Sequence, residues 1–127
     1  MKLAVNLPLM VAYQALGEAY ILARSVGMSN EALMELLSDT SGAPGVLKNR
    51  HPAIAKTLNG EDPGPPNFDV DLICKDLRTM VAEAATRGAT LPVAEAALKT
   101  FEKAQAEGWG KRDGVWLPAY WPGKQTS

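Results

Sequence analysis

From Lys2 to about Val26 the chain reads KLAVNLPLMVAYQALGEAYILARSV, with Leu3, Leu7, Met10, Val11, Tyr13, Leu16 and Tyr20 at the three-and-four spacing of a helix. Gly27 follows as a stop signal. A helix that is apolar over most of its circumference in its first half must be enclosed by other elements. The segment is therefore expected to be the central helix of the fold, bent near Pro8. Its polar interruptions need an explanation, because polar groups entering a buried segment cost free energy unless they find partners.

Lys2 and Asn6 are four residues apart and so project from one face of that helix, about 6 Å from each other. Two readings stay open. In the first, Lys2 simply snorkels to water at a helix N-terminus. In the second, a partly desolvated Lys2 passes a proton while Asn6 holds a substrate oxygen.

Asn6, Gln14 and Glu18 break the apolar run before the roughly 18 uninterrupted residues a membrane span wants, and no small-residue cleavage site follows. Neither a membrane segment nor a secretory signal is expected. The 13 basic and 14 acidic residues give a net charge of −1, which argues against a nucleic-acid partner, since phosphate binding needs an excess of cations. Cys74 is the only cysteine of the 127 residues, so no internal disulfide can form and a reducing, cytoplasmic setting is expected.

The remaining pattern is helical. Ser29 caps a second helix with Glu31 in its first turn and Leu33, Met34, Leu36 and Leu37 on its inner face. The loop SDTSGAPG ends it. Short helical pieces are expected over Val46 to Arg50 and Pro52 to Leu58, before the loop NGEDPGPPN. Val70 to Thr86 reads as a helix with Leu72, Ile73, Leu77, Met80 and Val81 on one side, closed by Gly88. Another runs from Pro92 to about Ala106 with Val93, Ala97, Leu98 and Phe101 inward, closed by Gly108. A short helix over Asp113 to Tyr120 is expected before Pro122 ends order. No stretch alternates like a strand, so the fold class is all-α.

His51 has no cysteine or carboxylate at metal-ligand spacing, and no metal is expected. Cys74 reads as a small buried hydrophobe. Trp109, Trp116 and Trp121 with Tyr120 could stack on a nucleotide ring, although such aromatics more often close a core or a subunit contact. Lys75 and Asp76, taken alone, read as a solvated pair on an outer helix face.

KLAVN opening a long apolar helix, followed later by F-x-x-x-L-x-x-K-D-L from Phe68 to Leu77, resembles the C-terminal helical domain of the β-hydroxyacid dehydrogenases. That group includes 3-hydroxyisobutyrate dehydrogenase and has a C-terminal fold like that of 6-phosphogluconate dehydrogenase. The pieces fall in the family's order: K-x-x-x-N, a Ser-Gly after the second helix at Ser41 and Gly42, the K-D-L helix, and a Gly-rich stretch with Gly108, Gly110 and Asp113.

The resemblance implies a division of labour. A Rossmann half binds NAD or NADP, while the helical half closes the cleft. Lys2 would exchange the proton of a small hydroxy acid or its oxo partner, and Asn6 would orient the same oxygen. Lys75 would reach the nicotinamide side, with Asp76 fixing its helix, and Ser41 and Gly42 would meet the substrate. A cationic amine suits this task, because it stabilises and neutralises the alkoxide that hydride transfer creates. Relatives that reduce imines usually lack the lysine.

No G-x-G-x-x-G occurs, so the dinucleotide phosphates have no cradle in these residues. The Rossmann half must then be supplied in cis or in trans, with residues 1–127 forming one all-α domain. Three expectations follow: Lys2, Asn6 and Lys75 converge on one face; the chain pairs as a homodimer; and alone it neither turns over substrate nor holds NAD(P)H tightly. The competing class is a non-catalytic helical oligomerisation module.

Overall fold

The computed structural model describes residues 2–125, with Lys2 and Leu3 described by their backbone alone. Helix α1 spans Lys2–Ala23 with Pro8 inside, and a single 3-10 turn, Arg24–Val26, carries it to Gly27 at φ 95°. Helix α2 is Asn30–Ser38, where the Ser29 hydroxyl accepts from the Ala32 N–H at 3.1 Å. Helix α4 is Val70–Thr86, capped by the Asp69 carboxylate accepting from Leu72 N–H at 2.9 Å. Both caps satisfy N–H groups that a helix start otherwise leaves unpaired.

Helix α3 runs unbroken over Leu47–Leu58 with Pro52 inside it, where two short pieces were expected. The proline removes one intrahelical bond. Leu47, Ile54 and Ala55, all buried, anchor the helix on both sides of that gap. Helix α5, Pro92–Ala104, passes into a wider π-helical turn, Gln105–Trp109, that Gly108 closes at φ 92°. The expected Asp113–Tyr120 helix is a 3-10 turn, Gly114–Trp116, joined to a one-turn helix α6, Leu117–Tyr120. Pro122 does not end order: a further turn spans Pro122–Lys124. Among the described residues there is no strand, and Asp69 and Asp113 form an isolated bridge.

Met10 and Tyr13 of α1, Ile54 of α3, Ile73 and Leu77 of α4, Phe101 of α5 and Leu117 of α6 are fully buried together. Tyr13 and Ile73 both close on Gly114, where an added Cβ would lie 2.8 Å and 2.7 Å from them. At its other end α1 brings Ala4 and Leu7 beside Met80 and Ala84 of α4, so the two helices run antiparallel. Gly17 lets α6 cross α1 closely, since a Cβ there would lie 2.9 Å from the Pro118 carbonyl oxygen.

The enclosure of α1 is one-sided. Val5 and Leu22 are 67% and 84% exposed, on a side that no described element covers. Leu36, Leu72 and Val93, expected inward, also face solvent. Each lies at the edge of its helix's apolar stripe, and neighbours on the same helix, such as Leu33 and Met34, Ile73, and Ala94 and Ala97, make the core contact instead.

Candidate functional site

Lys2 is the first residue of α1, and its side chain lies outside the described residues. Asn6 is half-buried and stands one turn before Met10, which is completely buried. By helical spacing Asn6, Met10 and Tyr13 form one ridge of α1, and Lys2 lies one turn before Asn6 along the helix. Asn6 therefore sits where that ridge passes from the core to its open end.

Lys75 is exposed, on the face of α4 away from Ile73, Leu77 and Met80. Its position is five residues before Met80, roughly 7–8 Å along the axis. The charged residues around it on α4 are engaged. Asp71 accepts from the Gln105 side-chain amide at 2.8 Å and pairs with Lys111 at 3.2 Å. Those hydrogen bonds hold its carboxyl below the usual carboxylate range. Arg78 pairs with Glu102 at 2.9 Å. Lys75 enters no ion pair among the described residues; its carbonyl accepts from the Thr79 hydroxyl at 2.9 Å. Such a cation fits a phosphate or carboxylate of a dinucleotide or substrate. Asp76 beside it is half-buried.

Ser41 and Gly42 are exposed in the turn between α2 and α3. Gly42 borders an apolar groove against Pro8, Val11, Ala12 and Ala15, the side of α1 away from the Asn6–Met10–Tyr13 ridge. The fold thus brings the Ser-Gly turn to α1, but across the helix from Asn6.

Residues that no sequence signal linked meet around Asp113, which is 7% exposed. Its Oδ2 accepts from the backbone N–H groups of Asn67 at 2.8 Å and Phe68 at 3.0 Å, and its Oδ1 accepts from Val115 N–H at 2.9 Å. Beside it lie the Tyr13 hydroxyl and the Arg50 guanidinium, and Arg50, Asn49, Asn67 and Asp113 line a cavity of about 150 Å³. Burial pushes the Tyr13 phenol up to about 12, Arg50 opposing the rise and Asp113 adding to it. These groups come from four separate stretches of chain, so no local spacing announces them.

The tryptophans are engaged internally. Arg112 lies 4.3 Å and 4.4 Å from the ring centres of Trp109 and Trp116, and Tyr120 meets Trp109 edge-on at 5.2 Å. Cys74 is fully buried, and desolvation pushes its thiol up to about 11, which keeps it protonated at neutral pH. His51 is half-buried in α3, and no group of three metal-ligating side chains occurs among the described residues. No helix among them is long and apolar enough to cross a membrane.

Known proteins resemble this chain in sequence and in fold. The family described as NAD-binding of NADP-dependent 3-hydroxyisobutyrate dehydrogenase matches residues 1–118. Glyoxylate/succinic semialdehyde reductase 1 of Arabidopsis thaliana is 30% identical over 113 residues, 89% of this chain and 37% of that protein. A probable 3-hydroxyisobutyrate dehydrogenase of Mycobacterium bovis is 27% identical over 84% of this chain and 37% of its own length. The crystal structure of 3-hydroxyisobutyrate dehydrogenase from Salmonella typhimurium superposes with a TM-score of 0.77 at 26% identity, covering 92% of this chain and 39% of that one. The Mycobacterium tuberculosis 3-hydroxyisobutyrate dehydrogenase solved with L-serine has the same fold, with a TM-score of 0.73 at 24% identity over 92% of this chain and 40% of its own. The chain spans about two fifths of the length of these relatives. With nearly its whole length matched, this all-α chain belongs to the NAD(P)-using 3-hydroxyisobutyrate dehydrogenase family.

Proposed function

We propose that this chain is the helical, substrate-side half of a cytoplasmic NAD(P)-dependent β-hydroxyacid dehydrogenase, oxidising a small hydroxy acid or reducing its oxo partner. The reading is supported by Asn6 on the ridge of α1 that leads into Met10 and Tyr13, with Lys2 one turn before it at the start of the helix, in a chain of this family. When bound, the nicotinamide supplies or accepts the hydride. Charge then develops on the substrate oxygen, where the Lys2 ammonium stabilises it and donates a proton, or in the reverse direction removes one. Asn6 orients that oxygen by hydrogen bonding. Lys75, exposed on α4, offers its charge to the nicotinamide side of the cleft, Asp76 steadies its helix, and Ser41 and Gly42 meet the substrate.

A Rossmann half, in cis or in trans, completes the cleft, because most dinucleotide affinity comes from a Gly-rich turn at a helix N-terminus. Alone, the chain is inactive and binds NAD(P)H weakly. Joined to the dinucleotide-binding half of a relative, it should turn over a small hydroxy acid, and Lys2→Ala should lower the rate about 10²–10⁴-fold while the circular dichroism stays unchanged. A variant keeping most of the rate would overturn the role of Lys2, and tight NADH binding by the isolated chain in calorimetry would overturn the division of labour.

A second reading rests on the open side of α1. Exposed Val5 and Leu22, with the groove lined by Pro8, Val11 and Ala15, form an apolar face that a second copy would cover. The chain would then be a homodimer, with or without catalysis. Light scattering giving the 13.6 kDa monomer mass at micromolar concentrations would exclude it.

A further inference from the structure

Donor groups line the cavity between Arg50 and Asp113, beside the apolar Ala53, Pro63, Pro65 and Val115. Arg50 is half-buried and enters no ion pair among the described residues. Asn49 and Asn67 add side-chain amides, Gly64 adds backbone, and the Tyr13 hydroxyl stands beside Arg50. The charged acceptor in the wall is Asp113, and both of its oxygens are already taken by three backbone N–H groups. Its nearness still sets a limit on ligand charge, since a full negative charge in the wall opposes a dianion. At about 150 Å³ the cavity is well below the roughly 300 Å³ at which drug-sized ligand pockets begin, so a nucleotide does not fit.

A planar monoanion meets all of these conditions. A carboxylate accepts two parallel bonds from a guanidinium and leaves lone pairs for neighbouring amides. We propose that this cavity is a binding site for a free small carboxylate, held by Arg50 with Asn49 and Asn67, separate from the Lys2–Asn6 site. The separation follows from α1: Tyr13 stands seven residues beyond Asn6, roughly 10 Å along the axis, too far for one such molecule to fill both places. A carboxylate bound there would add a tie between α3 and the loop before α4, beside the turn at Gly114, whose N–H donates to the Phe68 carbonyl at 3.0 Å and whose Val115 carbonyl accepts from Thr57 of α3 at 3.2 Å.

The test is an NMR titration of the 127-residue chain with sodium acetate, sodium chloride replacing it at constant ionic strength. Saturable shifts of the Arg50 Nε–H and the Asn49 and Asn67 side-chain amides are expected, with none for acetamide. Arg50→Gln should weaken acetate binding about tenfold or more, through loss of the charge-assisted pair. Asn67→Asp, on an exposed side chain that leaves the fold untouched, should weaken it independently by placing a second negative charge at the rim. Linear shifts, equal shifts from chloride, or unchanged affinity in folded Asn67→Asp would each overturn the proposal.

Discussion

The Asp113 cluster and the outward face of α4 are both polar, and they differ in what remains unbonded. Asp113 is buried and its two oxygens accept three backbone N–H bonds, joining Asn67 and Phe68 to Val115. Lys75 is exposed, and although Asp71 lies one turn before it, that carboxylate is occupied by Gln105 and Lys111. A buried polar group with all its bonds made holds a fold together, and losing it strands its partners. A charge that the fold leaves unengaged contributes little to stability and stays available to a ligand.

Four changes test that contrast, beginning with the largest. Asp113→Ala strands three backbone donors and should cost about 3 kcal/mol or more in urea unfolding; a loss below 1 kcal/mol would mean that water replaces the carboxylate. Next comes pH. A phenol whose pKa is higher in the folded state stabilises the fold fully below its unfolded value of 10.0, and that contribution is lost as pH rises through about 12. The two-unit difference at Tyr13 corresponds to about 2–3 kcal/mol, so stability should fall between pH 10 and 12, and Tyr13→Phe should make that fall shallower, the Tyr120 phenol and Cys74 thiol, also raised by burial, accounting for the rest. An unchanged pH profile in that variant would place the titration elsewhere.

Asp69→Ala removes a helix cap and should cost about 1 kcal/mol, read as a lower denaturation midpoint with an unchanged slope. The smallest effect belongs to Lys75→Ala, within about 0.5 kcal/mol of the parent. In the reconstituted enzyme the same variant should raise KM for cofactor or substrate. A large loss of stability there would erase the contrast, because Lys75 would then be a structural residue.

Helices α1, α2, α4 and α5 were legible because their signals are local. Ser29 and Asp69 cap within three residues, and Gly27, Gly88 and Gly108 adopt positive φ where each helix was read to end. The K-x-x-x-N spacing was equally plain, since four residues always return to the same helix face. Edge residues were not. Leu36, Leu72 and Val93 are as apolar as their buried neighbours, and which of them meets the core depends on where the next helix lies.

The amino-acid order by itself determined the all-α class, the boundaries of α1, α2, α4 and α5 within a few residues and the one-turn spacing of Lys2 and Asn6, because periodicity, caps and glycine stops act over at most about a turn. Only the tertiary structure decided that α3 continues through Pro52, that one side of α1 stays open at Val5 and Leu22, and that Asn49, Arg50, Asn67 and Asp113 line one cavity. These outcomes depend on contacts between distant segments, whose loop-closure cost is repaid only when the whole core packs.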